Sequence, residues 1–146
     1  MTPRSKTIRT TVTTVLFLLI GLLVLQSLGY GVGFAIDPAG GVGEFGYDVP
    51  LTVDDLTVTL VGLVGVGMLG VAALLILSAI LVWRANPAGA YVATITGGVY
   101  VLAGLNAARA DLWWDANFYG ITGASLIVLS SAVYWIQPQE SGGDTD

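Results

Sequence analysis

The chain is predicted to be all-α, a bundle of four transmembrane helices. Three observations predict it. Only 10% of its 146 residues are charged and 55% are hydrophobic, against about a quarter charged in a typical soluble domain. The mean hydropathy is +0.82. The apolar residues gather into four uncharged runs, 12–33, 56–83, 88–108 and 118–136, each at or beyond the roughly 18 residues that a membrane crossing needs. A bilayer core offers no water to satisfy backbone amides, so these runs must be helices. They occupy most of the chain. Residues 1–136 therefore read as one four-helix membrane domain, followed by a polar, acidic tail at 137–146.

The first span follows Arg4, Lys6 and Arg9. A basic segment before an apolar run also suits a signal peptide, and Gly33-Phe34-Ala35 loosely resembles a small-residue cleavage site. The run is longer than the usual 7–15 residues of a signal h-region, so it is read as a retained span. Next comes a Gly-, Asp- and Pro-rich loop at 34–55, in which Asp37-Pro38 favours a turn. Thr52-x-x-Asp55 then forms a capping box for the second span. That span is long. At 1.5 Å per residue it exceeds a hydrocarbon core of about 30 Å, so it tilts or stands partly in the interface.

The third and fourth spans carry small residues. Gly89, Ala93 and Gly97 recur every four residues, with Gly104 beyond, and Gly120 and Ala124 begin a similar ridge on the fourth. Membrane helices associate by close packing at such residues and by interhelical hydrogen bonds. These ridges imply helix packing within the chain, or a homo-oligomer on an exposed glycine face. The tail 137–146, with Gly-Gly and three acids, is expected to be disordered and cytoplasmic.

Charge sets the expected orientation. Arg84 lies between the second and third spans, on the same side as the basic N-terminus, and Arg109 is the only basic residue on the other side. The positive-inside rule places both termini in the cytoplasm and the chain in the cell membrane as a multi-pass protein. The aromatic residues test this independently. Trp83 and Trp135 fall at the inner end and Trp113 and Trp114 at the outer end, the depths that interfacial anchors favour. Tyr100 falls in mid-span and needs a partner for its hydroxyl.

Composition also excludes chemistry. With no Cys and no His, the chain has no thiolate chemistry, no iron–sulfur ligation and neither the commonest metal ligand nor the commonest general base. No cofactor is expected. The net charge of −5 offers no basic patch for nucleic acid. Eight Asp against one Lys suit a protein that works in high salt, where surface charge keeps it hydrated. Gly41-Val-Gly43-Glu-Phe-Gly46 matches G-x-G-x-x-G, but it has neither the preceding strand nor the following acid that a dinucleotide site needs.

Polar candidates remain at the outer end: Gln26, Asn106, Arg109, Asp111 and Asp115. Asn106 and Arg109 are helix neighbours at i, i+3. Arg109 near the negative end of the third helix is favoured by its dipole. The simple reading is that Arg109 and Asp115 staple the hairpin, with Trp113 and Trp114 anchoring it. The alternative is an outward-facing site for a head group or small anion, with Arg109 as the charge and Asn106 as a donor.

An N-terminal span ending in AIDPAGGVGEFG, a second span opening in VDDLTVTLVGLVGVGMLG and a third closing in GLNAARAD give the chain a layout that resembles small four-helix DoxX-like membrane proteins. Some of those are subunits of quinone-linked oxidoreductase complexes, and the resemblance implies that role as one alternative. No ligand residue is carried over with it. Without evident catalytic residues, the expected function is a non-enzymatic accessory or scaffolding component of a membrane complex. Its partners are the lipid bilayer and either another membrane protein or a second copy. A small transporter or channel working through Gln26, Asn106 and Arg109 is the rival.

Overall fold

The computed structural model describes residues 3–44, 55–109 and 111–136. Five helices run along the chain: α1 (Pro3–Ile36), α2 (Pro38–Glu44), α3 (Asp55–Trp83), α4 (Ala88–Arg109) and α5 (Trp113–Ile136). Four of them are long and apolar enough to cross a membrane, over Lys6–Ile36, Val58–Trp83, Ala88–Arg109 and Trp113–Ile136. Large apolar side chains stand exposed on all four, among them Leu18, Leu63, Leu102 and Val128. A soluble monomer rarely exposes such continuous apolar surface. With lipid as the solvent it is the stable arrangement, and this is a multi-pass membrane protein.

Two expectations change in detail. The segment 34–55 is not a loop throughout. α1 continues to Ile36, and α2 occupies Pro38–Glu44. The reason is local: Asp37 caps α2, its carboxylate Oδ1 accepting from the Gly40 amide at 3.0 Å. Pro38 then takes the first helical position, where its missing N–H is not needed. Asp37-Pro38 is a helix start rather than a simple turn. The cap at Thr52 and the acidic tail lie outside the described residues. On the fourth span the helix begins at Trp113, ahead of the apolar run, because hydropathy marks depth in lipid and not where backbone bonding starts.

The described residues form two compact bodies, one within Met1–Ile20 and Leu77–Asp146 and the other within Gly21–Ile76. In the second body, Phe34 and Val61 are buried together with Met68 packed against them. Here α1 and α3 approach at backbone distance. A Cβ at Gly65 would lie 2.7 Å from the Ala35 nitrogen, so only glycine fits.

In the first body α4 packs on α5 along a seam. The buried positions Ala93, Gly97, Tyr100, Gly104 and Ala107 of α4 are spaced alternately by four and three, and Gly123, Leu126, Ser130 and Val133 of α5 by three and four. That average period of 3.5 is the left-handed, knobs-into-holes geometry. Gly89, Ala93 and Gly97 are buried as the ridge predicts. Ala124 is exposed, and the seam residue is Gly123. Gly120 contributes its backbone, which a Cβ at Gly104 would approach to 2.7 Å. The ridge on α5 thus starts with a step of three, because a four-residue step drifts off the facing helix.

Candidate functional site

Both sharp hairpins are built by the same device. At the end of α3, the Ala85 amide donates to the Val82 carbonyl at 3.0 Å and the Asn86 amide to the Leu81 carbonyl at 2.9 Å. Ala85 has φ 55°. This is a Schellman motif, which satisfies the orphan carbonyls of a helix end with one left-handed residue. Asn86 then starts α4 at once. Its Oδ1 accepts from the Ala88 amide at 2.9 Å, with Pro87 between them in the first helical position. The same pattern closes α4. The Asp111 amide donates to the Ala108 carbonyl at 3.2 Å and the Leu112 amide to the Ala107 carbonyl at 3.0 Å, and Asp111 has φ 58°. Asp tolerates that conformation better than most residues.

This geometry assigns the outer candidates. Asp111 is the left-handed residue of the hairpin. The Leu112 carbonyl accepts the first bond of α5 from Ala116, which puts Asp115 in the first turn, where the helix dipole favours a carboxylate. Arg109 is in the last turn of α4, at the opposite dipole end. Asn106, Arg109 and Asp111 are exposed and Asp115 is half-buried. Among the described residues no ion pair joins Arg109 to Asp115. The hairpin is held by backbone bonds, and each charge is placed beside the helix end that suits it. Trp113 and Trp114 are exposed at 63% and 86%, Trp83 and Trp135 at 81% and 79%, as side chains reaching into a membrane interface would be.

Polar groups inside the first body are paired. Ser130 is wholly buried, and its hydroxyl bonds to that of Thr94 across the seam at 2.8 Å. Ser78 donates to the Gly89 carbonyl at 2.8 Å, and Thr96 to the Val92 carbonyl at 2.8 Å. Tyr100, 5% exposed, packs against Tyr119 with ring centroids 5.9 Å apart. Closer still, a Cβ at Gly97 would lie 2.8 Å from the Gly123 carbonyl oxygen. At Gly97 and Gly104 the backbones of α4 and α5 leave no room even for a Cβ.

Gln26 belongs to the second body. It lies in a groove of about 370 Å³ on α1, lined also by Leu25, Gly29, Tyr30, Gly33 and Phe34. Its Oε1 is shielded from solvent and accepts no hydrogen bond from the described residues. A Cβ at Gly29 or Gly33 would meet nothing within 4 Å. The sequence singles out Gln26 by its polarity, but the glycines that open the groove beside it are visible only once the helices are packed. No protein-family model matches this chain, and neither does any curated protein or solved structure.

Proposed function

We propose that the chain is a non-catalytic accessory or scaffolding component of a membrane complex, held in the cell membrane with both termini cytoplasmic. The observation that carries this reading is the groove on α1. Gln26, Gly29 and Gly33 follow one another at helical spacing, so a shielded, unpaired amide oxygen sits beside two open glycines. Glycines let a second helix approach to backbone distance, and a lone amide group in lipid gains from an interhelical hydrogen bond. That is the chemistry of a seat for a partner's transmembrane helix. The backbone contacts at Gly97 and Gly104 speak against a solute path between α4 and α5 at those levels. The resemblance of the layout to DoxX-like proteins, some of them complex subunits, would imply the same role.

The test is purification in mild detergent. The wild type should carry a stoichiometric membrane protein, and Gly29→Leu should lose it while remaining folded. Gly98→Leu, at another open position, should keep it. Retention by Gly29→Leu, or solute transport by the pure chain in liposomes, would overturn the proposal. For orientation, a Cys introduced at Asn86 should resist an impermeant thiol reagent in intact cells, and one at Asp115 should label. The reversed pattern would place the termini outside.

A further inference from the structure

A second cleft lies in the first body, where the start of α1 meets the end of α3. Its volume is about 520 Å³, within the roughly 300–1,000 Å³ of small-molecule sites. Lys6, Arg9, Thr10, Thr13 and Phe17 line it from α1 and Trp83 from α3. The α1 residues fall at i, i+3, i+4, i+7 and i+11, so they form one helix face. Along that face the chemistry changes in order: two cations first, then hydroxyls, then an aromatic ring. Phe17 and Trp83 meet edge to face with centroids 6.2 Å apart and planes at 67°, which makes an apolar wall at the deep end. Among the described residues no carboxylate lines the cleft.

We propose that this cleft binds the phosphate-bearing headgroup of an anionic glycerophospholipid. The phosphate lies between Lys6 and Arg9, the glycerol region meets the Thr hydroxyls, and the upper acyl chain lies on Phe17 and Trp83. Length agrees with this. From Lys6 to Phe17 is about 16 Å along the helix at 1.5 Å per residue, room for a headgroup and the first carbons of its chain. Depth agrees as well, since Trp83 is of the residue type that sits at headgroup level. Basic pockets between transmembrane helices are the usual seats for such lipids. A free phosphate ion would satisfy the cations but leave the aromatic wall uncovered. The inference rests on the membrane reading alone and holds whether or not the chain serves as an accessory component.

The full chain in a neutral detergent can be titrated with short-chain phosphatidylglycerol, short-chain phosphatidylcholine and inorganic phosphate, with binding read from tryptophan fluorescence. Saturable binding of phosphatidylglycerol is expected, at least tenfold tighter than either comparator. Removing both cations with Lys6→Gln and Arg9→Gln should weaken it roughly 30-fold, from about 1 kcal/mol per cation near a surface. Arg84→Gln, an exposed cation outside the cleft, should change it less than threefold. Phe17→Ala should weaken phosphatidylglycerol binding while preserving the preference over phosphatidylcholine. Circular dichroism checks that each variant is folded. Equal affinity for the two lipids would overturn the proposal. So would inorganic phosphate binding as tightly as phosphatidylglycerol, which would make a free anion the ligand. An unchanged affinity in the double variant would do the same.

Discussion

Gly97→Ala adds one methyl group where α4 and α5 meet at backbone distance. The new Cβ would lie 2.8 Å from the Gly123 carbonyl oxygen, 2.8 Å from Ile127 Cγ1 and 3.2 Å from Ile127 N, where ordinary contact is 3.4–4 Å. Two of the obstructing atoms are backbone and cannot rotate away. α5 must therefore move off by more than half an ångström. That strain costs about 1–3 kcal/mol. The same shift lengthens the Thr94–Ser130 hydrogen bond, now 2.8 Å, which in a membrane protein contributes about 0.6 kcal/mol. Alanine returns up to about 1 kcal/mol through its better helix propensity. The net expectation is a loss near 2 kcal/mol, or a fall in Tm of roughly 4–8 °C for a chain of this size. Thermal unfolding in mild detergent, followed by circular dichroism, measures it. Gly98→Ala is the internal control: it is the next residue on the same helix, and its Cβ meets nothing within 4 Å. It should be neutral or stabilising by up to about 1 kcal/mol. Equal melting of the two variants, or a Gly97→Ala protein that melts no lower than wild type, would show that close contact at Gly97 does not hold the seam.

Further variants address the hairpins and the buried hydroxyls. Ala85→Gly should stabilise the chain by about 1 kcal/mol, because a left-handed non-glycine residue carries roughly that strain; an unchanged or lower Tm would deny the strain at φ 55°. Asn86→Ala should lose about 1 kcal/mol with the cap on Ala88, and Asn86→Asp, which keeps the acceptor, should recover most of it. Ser130→Ala leaves Thr94 without its partner across the seam and should cost about 0.6 kcal/mol, at most about 1.7; a loss as large as that of Gly97→Ala would show that hydrogen bonding rather than close packing holds the seam.

The number and type of the four spanning helices were legible from hydropathy alone, because twenty or so uncharged residues in lipid have no alternative to helix; the short α2 was not. Helix ends were less so. Asp37-Pro38 and Asn86-Pro87 are both a cap followed by proline at the first helical position, but the first reads as a turn until the hydrogen bond from Gly40 is seen. Among the outer candidates, the dipole-favoured placement of Arg109 followed from its position at a helix end, whereas that of Asp115 needed α5 to start at Trp113. The staple between them needed side chains to meet, which local spacing does not settle. The basic cleft was visible only in Lys6 and Arg9, as charges ahead of the first span. Its Trp83 wall comes from a distant part of the chain.

The sequence by itself determined the solvent and the four spanning helices of this protein: apolar runs of that length belong in a bilayer, and there they must be helices. Only the tertiary structure decided which face of each helix turns inward. In a soluble helix the polar stripe reveals that register. Here every face is apolar, and hydropathy carries no direction. The inward face is chosen by shape, where Gly97 meets Gly123 and Gly65 meets Ala35 at distances that no side chain could share.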